Sequence, residues 1–516
     1  MRSHRSSRCE PDSGMFLLVP AVAPSPGRVR LPVLTIVVVF VTSRLVAAAF
    51  GLYFDAAPIR YAYQLLDVKL LRDDPIRSIF YLHSQPPLFN AFTALILQLP
   101  PRVVPTTLMM LWHVAGLATA LLLYATMVRL GVRRGLAATF VCVFVLMPET
   151  LLVESWFFYS QLEILLVATM LWGLARFAST RRVTDGLLCT GALGALVLLR
   201  SSFHPLLMVV LLLVVWRQLR LDVRKLAMVA AVPLLVVATW SVKNVLVFDS
   251  WSNSSWLGMN LSYVAHAGIT EHQCRELAAR HEISRIGCVA AFSAPAAYTA
   301  RFPKPDRFGV AAIDALFKST GGPNYNASLY LEVSKQYQRD ALEILRRGGV
   351  RAVVRAQSAA YIVWAEPGDD LIQLRALRAP IAGYADWFDR FVLLRPVATG
   401  WNDPYRFTAE SGGFPVGRDA LGSISYTLLA LFGLALFGGV VGYRRARNGD
   451  PVRRCVCSVG LVVVVFATLV GNALDFRENN RFRFEIAPAV VVLGALGLEL
   501  IWQRAHERRS GDHTPV

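Results

Sequence analysis

The chain has 516 residues, 55% of them hydrophobic and only 17% charged, with a mean hydropathy of +0.46. Those values exclude a soluble globular domain and point to a chain that crosses a membrane repeatedly. The formal net charge of +18 does not indicate nucleic acid: the arginines sit in short connectors between apolar runs, where they mark the cytoplasmic side of a lipid bilayer.

Residues 1–30 are polar and rich in arginine and proline, which predicts a disordered cytoplasmic tail. The apolar stretch after Met15 imitates a signal peptide but is too short for one, and Met15 is an alternative start. The first span is predicted at 31–53, interrupted only by Arg44. An exterior loop, 54–105, follows; within it the run from Leu88 to Pro100 is too short to cross and reads as an interfacial or re-entrant helix. Further spans are predicted at 106–128, 136–152, 157–177, 187–199, 205–216 and 226–248, completing an N-terminal module over 31–248. A large loop domain, 249–420, separates it from C-terminal spans at 422–443, 455–474 and 485–502, and 504–516 is a short cytoplasmic tail. The fold class is therefore an all-α polytopic membrane protein with about ten transmembrane helices and one large, mainly helical loop domain.

Every even-numbered span ends on an arginine cluster, such as Arg129, Arg133 and Arg134, or Arg444, Arg445 and Arg447. This places the N-terminus in the cytoplasm and both large loops outside, in a cell's inner (plasma) membrane. Cys274 and Cys288 share the exterior loop with no competing thiol, so a disulfide between them is expected. Helical periodicity in that loop covers 329–345 and 350–364. Trp251, Trp256, Trp364 and Trp387 suit an interface-hugging domain. The turn-rich Gly321-Gly322-Pro323-Asn324-Tyr325-Asn326 either covers a cleft or is an ordinary loop.

Asp55 lies at the mouth of the first span, where a carboxylate is costly unless it has a role. His83-Ser84-Gln85-Pro86-Pro87-Leu88 returns the chain to the membrane through two rigid prolines. Near the end, Arg477-Glu478-Asn479-Asn480-Arg481-Phe482-Arg483-Phe484-Glu485 breaks the exterior depletion of basic residues. Together these resemble the GT-C membrane glycosyltransferases, whose best-known members include the protein O-mannosyltransferases and the aminoarabinose transferase of lipid A. The string from His83 departs from several members by two residues inserted before the prolines, and the fourth span opens with Glu where Asp is commoner.

The resemblance implies an inverting transfer of sugar from a polyprenyl-phosphate carrier to a hydroxyl on a protein, lipid or glycan. Asp55 would act as base, or hold a divalent metal (Mg or Mn) that polarises the acceptor. Glu154 and Glu163 compete for the second acidic position. Arg481 and Arg483, then Arg477, Arg200, Lys243, His83 and Gln85, are the residues for carrier phosphate or acceptor, arginine being suited to phosphate by its planar fork of donors. Two other classes stay open: a transporter or flippase of a lipid-linked anion, which would be expected to show repeated halves that this sequence lacks, and a non-catalytic scaffold.

Overall fold

In hydrocarbon a backbone amide can bond only within its own helix, so apolar runs of about 20 residues form helices that span the bilayer. The computed structural model describes residues 27–302, 308–396, 418–447 and 449–511. Its regular structure is helical, with two isolated β-bridges and no strand among the described residues. Seven helices are long and apolar enough to cross a membrane: Leu31–Ala49, Val104–Arg129, Ser160–Thr180, Val223–Phe248, Tyr426–Ala446, Pro451–Leu474 and Ala487–Arg508. Arg134–Leu146 and Pro148–Glu154 make an eighth if they count as one span, bent by 61° where Pro148 has no N–H to continue the helical ladder. Val183–Leu199 and Pro205–Leu219 are shorter apolar helices. Each of the ten expected spans falls on helix, and the protein is an all-α, multi-pass membrane protein. Most of the predicted N-terminal tail lies outside the described residues.

Burial separates the axis of the bundle from its rim. The apolar windows of Ser160–Thr180 and of the last span are 61% and 67% buried, against 17% for the first span and for Val223–Phe248. Ser160–Thr180 packs on Val104–Arg129, Val183–Leu199 and Pro451–Leu474. Tyr426–Ala446 lies backbone to backbone with the last helix: a Cβ on Gly438 would stand 2.1 Å from the Leu493 carbonyl oxygen. Such contacts suit lipid, where helices associate through packing rather than the hydrophobic effect.

The connectors sort by charge. Arg453 donates to Leu130 O at 2.8 Å, Arg181 to Leu219 O at 2.8 Å and Arg454 to Gln218 O at 2.6 Å. Arg133 pairs with Glu499 at 2.9 Å. The arginine-rich connectors therefore meet at one end of the bundle. At the other end Asp55 is bridged to Trp156, Lys243 donates to Leu82 O at 2.8 Å, and Arg200 reaches Glu485.

The loop domain is built on Leu257–Gly268 packed against Leu329–Ala365. The latter breaks at Gly349 (φ 64°, ψ −167°), between the two helical stretches read from the sequence. A disulfide joins Cys274 to Cys288. Asn326, at the end of the turn-rich segment, accepts from the backbone N–H groups of His83 at 2.9 Å and Ser84 at 3.0 Å and donates to Tyr81 O at 3.1 Å. That segment clamps the Pro86-Pro87 turn.

The helix pair touches most closely at Gly258, where an added Cβ would lie 1.8 Å from the Ser334 carbonyl oxygen. The obstacle is backbone, so one helix must shift. Gly258→Ala is expected to destabilise the loop domain by about 1–3 kcal/mol. Gly383→Ala, where the Cβ meets nothing within 4 Å, is the control. Equal thermal unfolding and equal protease resistance in the two variants would remove this account of the packing.

Candidate functional site

A cavity of about 1170 Å³ opens between the loop domain and the end of the bundle where Arg200 lies. Its walls come from segments far apart in sequence: Tyr61 and Tyr63, Gln85, Trp156 to Tyr159, Arg200, Trp251 and Trp256, and Phe466 to Phe482. Phe466, Val470 and Leu474 give it an apolar side, formed by the last turns of a membrane helix.

Asn479–Glu485 is a short helix buried throughout, and it supplies the electrostatic centre. Arg481 donates to Tyr159 Oη at 2.9 Å, lies 3.4 Å from Glu485, and pairs with Glu478. Arg200 pairs with Glu485 and lies 3.5 Å from Glu163. Ser160 Oγ donates to Glu485 at 3.2 Å. The arginines border the cavity, whereas Glu163 and Glu485 stand behind them. Carboxylates that brace a guanidinium from the rear fix its orientation towards whatever enters. Arg481 Nε, moreover, has no hydrogen-bond acceptor among the described residues. Arg477 also borders the cavity, its Cζ 4.0 Å from the centre of the Tyr263 ring. Its φ of 119° is a strained backbone conformation of the kind that collects at functional sites.

Other expected residues lie elsewhere. Arg483 is buried on the far face of the helix, since two residues turn a helix by more than half a circle. It pairs with Glu149 at 3.2 Å and donates to Trp364 O and Glu366 O at 3.0 and 3.1 Å. Its partners are protein groups, and it ties the helix to the end of Leu329–Ala365. Lys243 does not line the cavity; its amine bonds Leu82 O and lies 3.6 Å from the centre of the Trp240 ring. His83 is likewise apart, with Nδ1 2.8 Å from Ser255 Oγ and its ring 5.0 Å from that of Phe248. Burial, with a smaller contribution from Lys243, pushes its pKa down to about 3. His83 is thus neutral and locks the turn. Gln85 does reach the cavity.

Glu154 and Glu163, which the sequence could not rank, part company. Glu154 pairs with Arg44 at 2.5 Å and His113 at 2.8 Å beside a separate pocket of about 230 Å³. Only Glu163 stands next to the arginine pair. Asp55 is hydrogen-bonded through its backbone to Ser155 and Phe157, and its Oδ1 accepts from Ala57 N at 2.8 Å. It makes no ion pair with Arg60 among the described residues. It sits behind the wall, near Tyr61, whose phenol is raised by burial and then by the Asp55 charge.

Sequence reasoning passed over Asp475, which it treated only as the end of a span. Asp475 borders the cavity, and its carboxylate has no cation within salt-bridge distance among the described residues. Burial, and then Glu478, lift its pKa to about 7, against the pull of Arg200 and Arg481. The one local signal was a carboxylate at a helix exit close to three arginines. Between its ordinary value and about 7 the folded state holds the proton more tightly than the unfolded chain, so Asp475 contributes stability that disappears as pH rises through that window. Asp475→Asn is expected to flatten the fall in melting temperature between pH 4 and 7, and an unchanged pH profile would refute this.

The sequence also passed over Asp369, Asp370 and Asp389, whose carboxylate oxygens come within 4.8 Å of one another. Arg378 lies 2.9 Å from Asp369 and Arg395 lies 2.5 Å from Asp370 and 3.3 Å from Asp389. Burial raises Asp369 to about 6 and Asp389 to about 9. With two guanidinium groups seated among them, these residues fit a buried ion-pair network rather than a cation. Asp55 belongs to no such ligand group among the described residues.

No protein-family model matches the chain, and no curated protein does. Solved structures of an oligosaccharyltransferase from Archaeoglobus fulgidus are similar to it. One, tethered to an acceptor peptide, is 12% identical and matches over 92% of this chain and 50% of its own, with a TM-score of 0.38. A second, named AglB and in complex with an inhibitory peptide and a dolichol-phosphate, is 14% identical over 95% of this chain and 52% of its own, with a TM-score of 0.38. The apo form gives 12% and a TM-score of 0.34. The chain spans about half the length of these structures.

Proposed function

We propose that the protein is a membrane glycosyltransferase that takes a sugar from a polyprenyl-phosphate carrier and passes it to a hydroxyl group outside the cytoplasm. The observation that carries this reading is the convergence of Arg200 and Arg481 on one cavity that also has an apolar flank of Phe466, Val470 and Leu474. A lipid phosphate needs both: paired donors for its oxygens and a greasy path for its chain. Trp251, Trp256 and Tyr63 add ring faces against which a sugar can pack.

In this reading the acceptor oxygen attacks the anomeric carbon as its proton passes to a carboxylate. The bond from that carbon to the phosphate oxygen breaks with inversion, and the phosphate leaves on its lipid against Arg200 and Arg481. Asp55, acting beside Tyr61, is the carboxylate that the family resemblance assigns to the proton. Asp475 is the alternative that borders the cavity. Glu163 holds Arg200 from behind, and Gln85 offers an amide to donor or acceptor. In this reading the end where the arginine-rich connectors meet is cytoplasmic and the cavity opens on the outer side.

The test is a comparison of lipid-linked sugars and envelope glycans in cells carrying the wild type, Asp55→Asn, Asp475→Asn or Arg481→Lys. Transfer predicts that Arg481→Lys and one Asn variant lose glycan while the carrier-bound sugar accumulates. Unaltered pools in all three variants would dismiss the proposal. Loss of glycan with the carrier-bound sugar trapped inside the cell would favour a flippase.

A further inference from the structure

A second cavity, of about 470 Å³, opens beside the first and shares two of its walls, Tyr61 and Tyr63. Its remaining lining is Arg60, Lys318, Thr320, Gly322 and Pro323. Two cations face it, and among the described residues no carboxylate lines it. Neither Arg60 nor Lys318 has an acidic partner within salt-bridge distance among the described residues. Asp67, whose charge acts on Lys318, is engaged: it accepts from Lys69 N at 2.9 Å and from Ser319 Oγ at 2.6 Å.

The rim is built rather than loose. Lys318 N donates to Gly322 O at 2.8 Å and Gly321 N to Lys318 O at 2.9 Å, closing the turn. Thr320 Oγ1 donates to Arg60 O at 3.2 Å, which ties the turn to the opposite wall. The Lys318 amine is fixed by one hydrogen bond, to Ala62 O at 2.9 Å, and an ammonium has three donors. Burial of a cation with no ion-pair partner, as at Lys318, is unfavourable unless an anion offsets it.

We infer that this second cavity is a subsite for an oxyanion carried by the acceptor, a phosphate or a carboxylate, which Arg60 and Lys318 hold while the rest of the acceptor passes Tyr61 and Tyr63 into the main cavity. The inference relies on the glycosyltransferase reading only for calling the occupant an acceptor; the anion site stands on its own residues. Lys318 is also a reactive amine, since burial lowers its pKa to about 8 against the pull of Asp67.

The test uses pyridoxal 5′-phosphate, an anionic aldehyde, with borohydride trapping at pH 7.5 and peptide mapping of the purified full-length protein. The aldehyde condenses with an unprotonated amine, water leaves, and hydride fixes the imine as a secondary amine. Lys318 is expected to label at least about tenfold faster than the exposed Lys335, because a larger unprotonated fraction and a neighbouring cation both favour it. Millimolar inorganic phosphate or glucuronate should then slow Lys318 severalfold and leave Lys335 alone. Protection by phosphate only, by glucuronate only or by both says which oxyanion the subsite takes. Arg60→Gln, a change at an exposed side chain, should abolish the protection. Lys318 labelling no faster than Lys335, or protection by neither anion, or protection that survives Arg60→Gln, would overturn the inference. None of these outcomes touches the arginine cavity, so the glycan measurements above judge the transferase reading separately.

Discussion

Arg481→Lys is expected to lower glycan transfer by about 10²–10³-fold, the loss typical when one preorganised donor to a developing oxyanion is removed. Lysine keeps the charge but not the fork, and Arg481 uses that fork to touch Tyr159, Glu478 and Glu485 together. A point charge at the end of a flexible stem cannot hold the same contacts and also face the cavity. The measurement is envelope glycan formed per unit of protein in cells, alongside thermal unfolding of the purified variant. Wild-type rates in a fully folded lysine variant would mean that this guanidinium does not bind the leaving group.

The largest expected effect on stability is at Arg200. Arg200→Leu leaves Glu163 and Glu485 buried beside a hydrocarbon side chain, and removal of one partner from a buried ion pair costs about 3–5 kcal/mol. Arg481 still lies 3.4 Å from Glu485, but Glu163 then has no cation within salt-bridge distance among the described residues. Adding Glu163→Gln to Arg200→Leu should recover part of the loss by removing the carboxylate that is left without a cation. Thermal unfolding of the single and double variants checks this. A double variant less stable than the single one would show that the cluster is held by its shape rather than its charges.

The helices were legible in the sequence because lipid imposes a simple rule: apolar length sets the span, and arginine marks the connector. The break in Leu329–Ala365 was legible too, in the glycine pair at Gly348 and Gly349 that divides two periodic stretches. The bend at Pro148 was not read, although a proline inside an apolar run is its usual cause. For the site, sequence picked out Arg200, Arg477, Arg481 and Gln85, which the cavity gathers. It could not separate Arg481 from Arg483, because helix phase, not composition, decides which of two alternating arginines faces a neighbour. Trp251 and Trp256 were read as interface anchors, yet both line the cavity. Asp475 and Lys318 were missed for a common reason: each takes part of its surroundings from a segment hundreds of positions away, Arg200 for one and Ala62 for the other, and no local pattern records that.

The walls of the main cavity are contributed from near both ends of the chain, with Tyr61 and Gln85 early and Arg481 close to the last helix. Its assembly must therefore wait until the segment that carries Arg481 has been made. A nascent chain stopped before Asp475 would carry Arg200 and Glu163 already inserted, but neither Glu485 to complete their cluster nor a floor for the chamber. On the transferase reading, products that stop short of Arg481 would consequently be inert. The order of translation itself then acts as a safeguard against half-made copies.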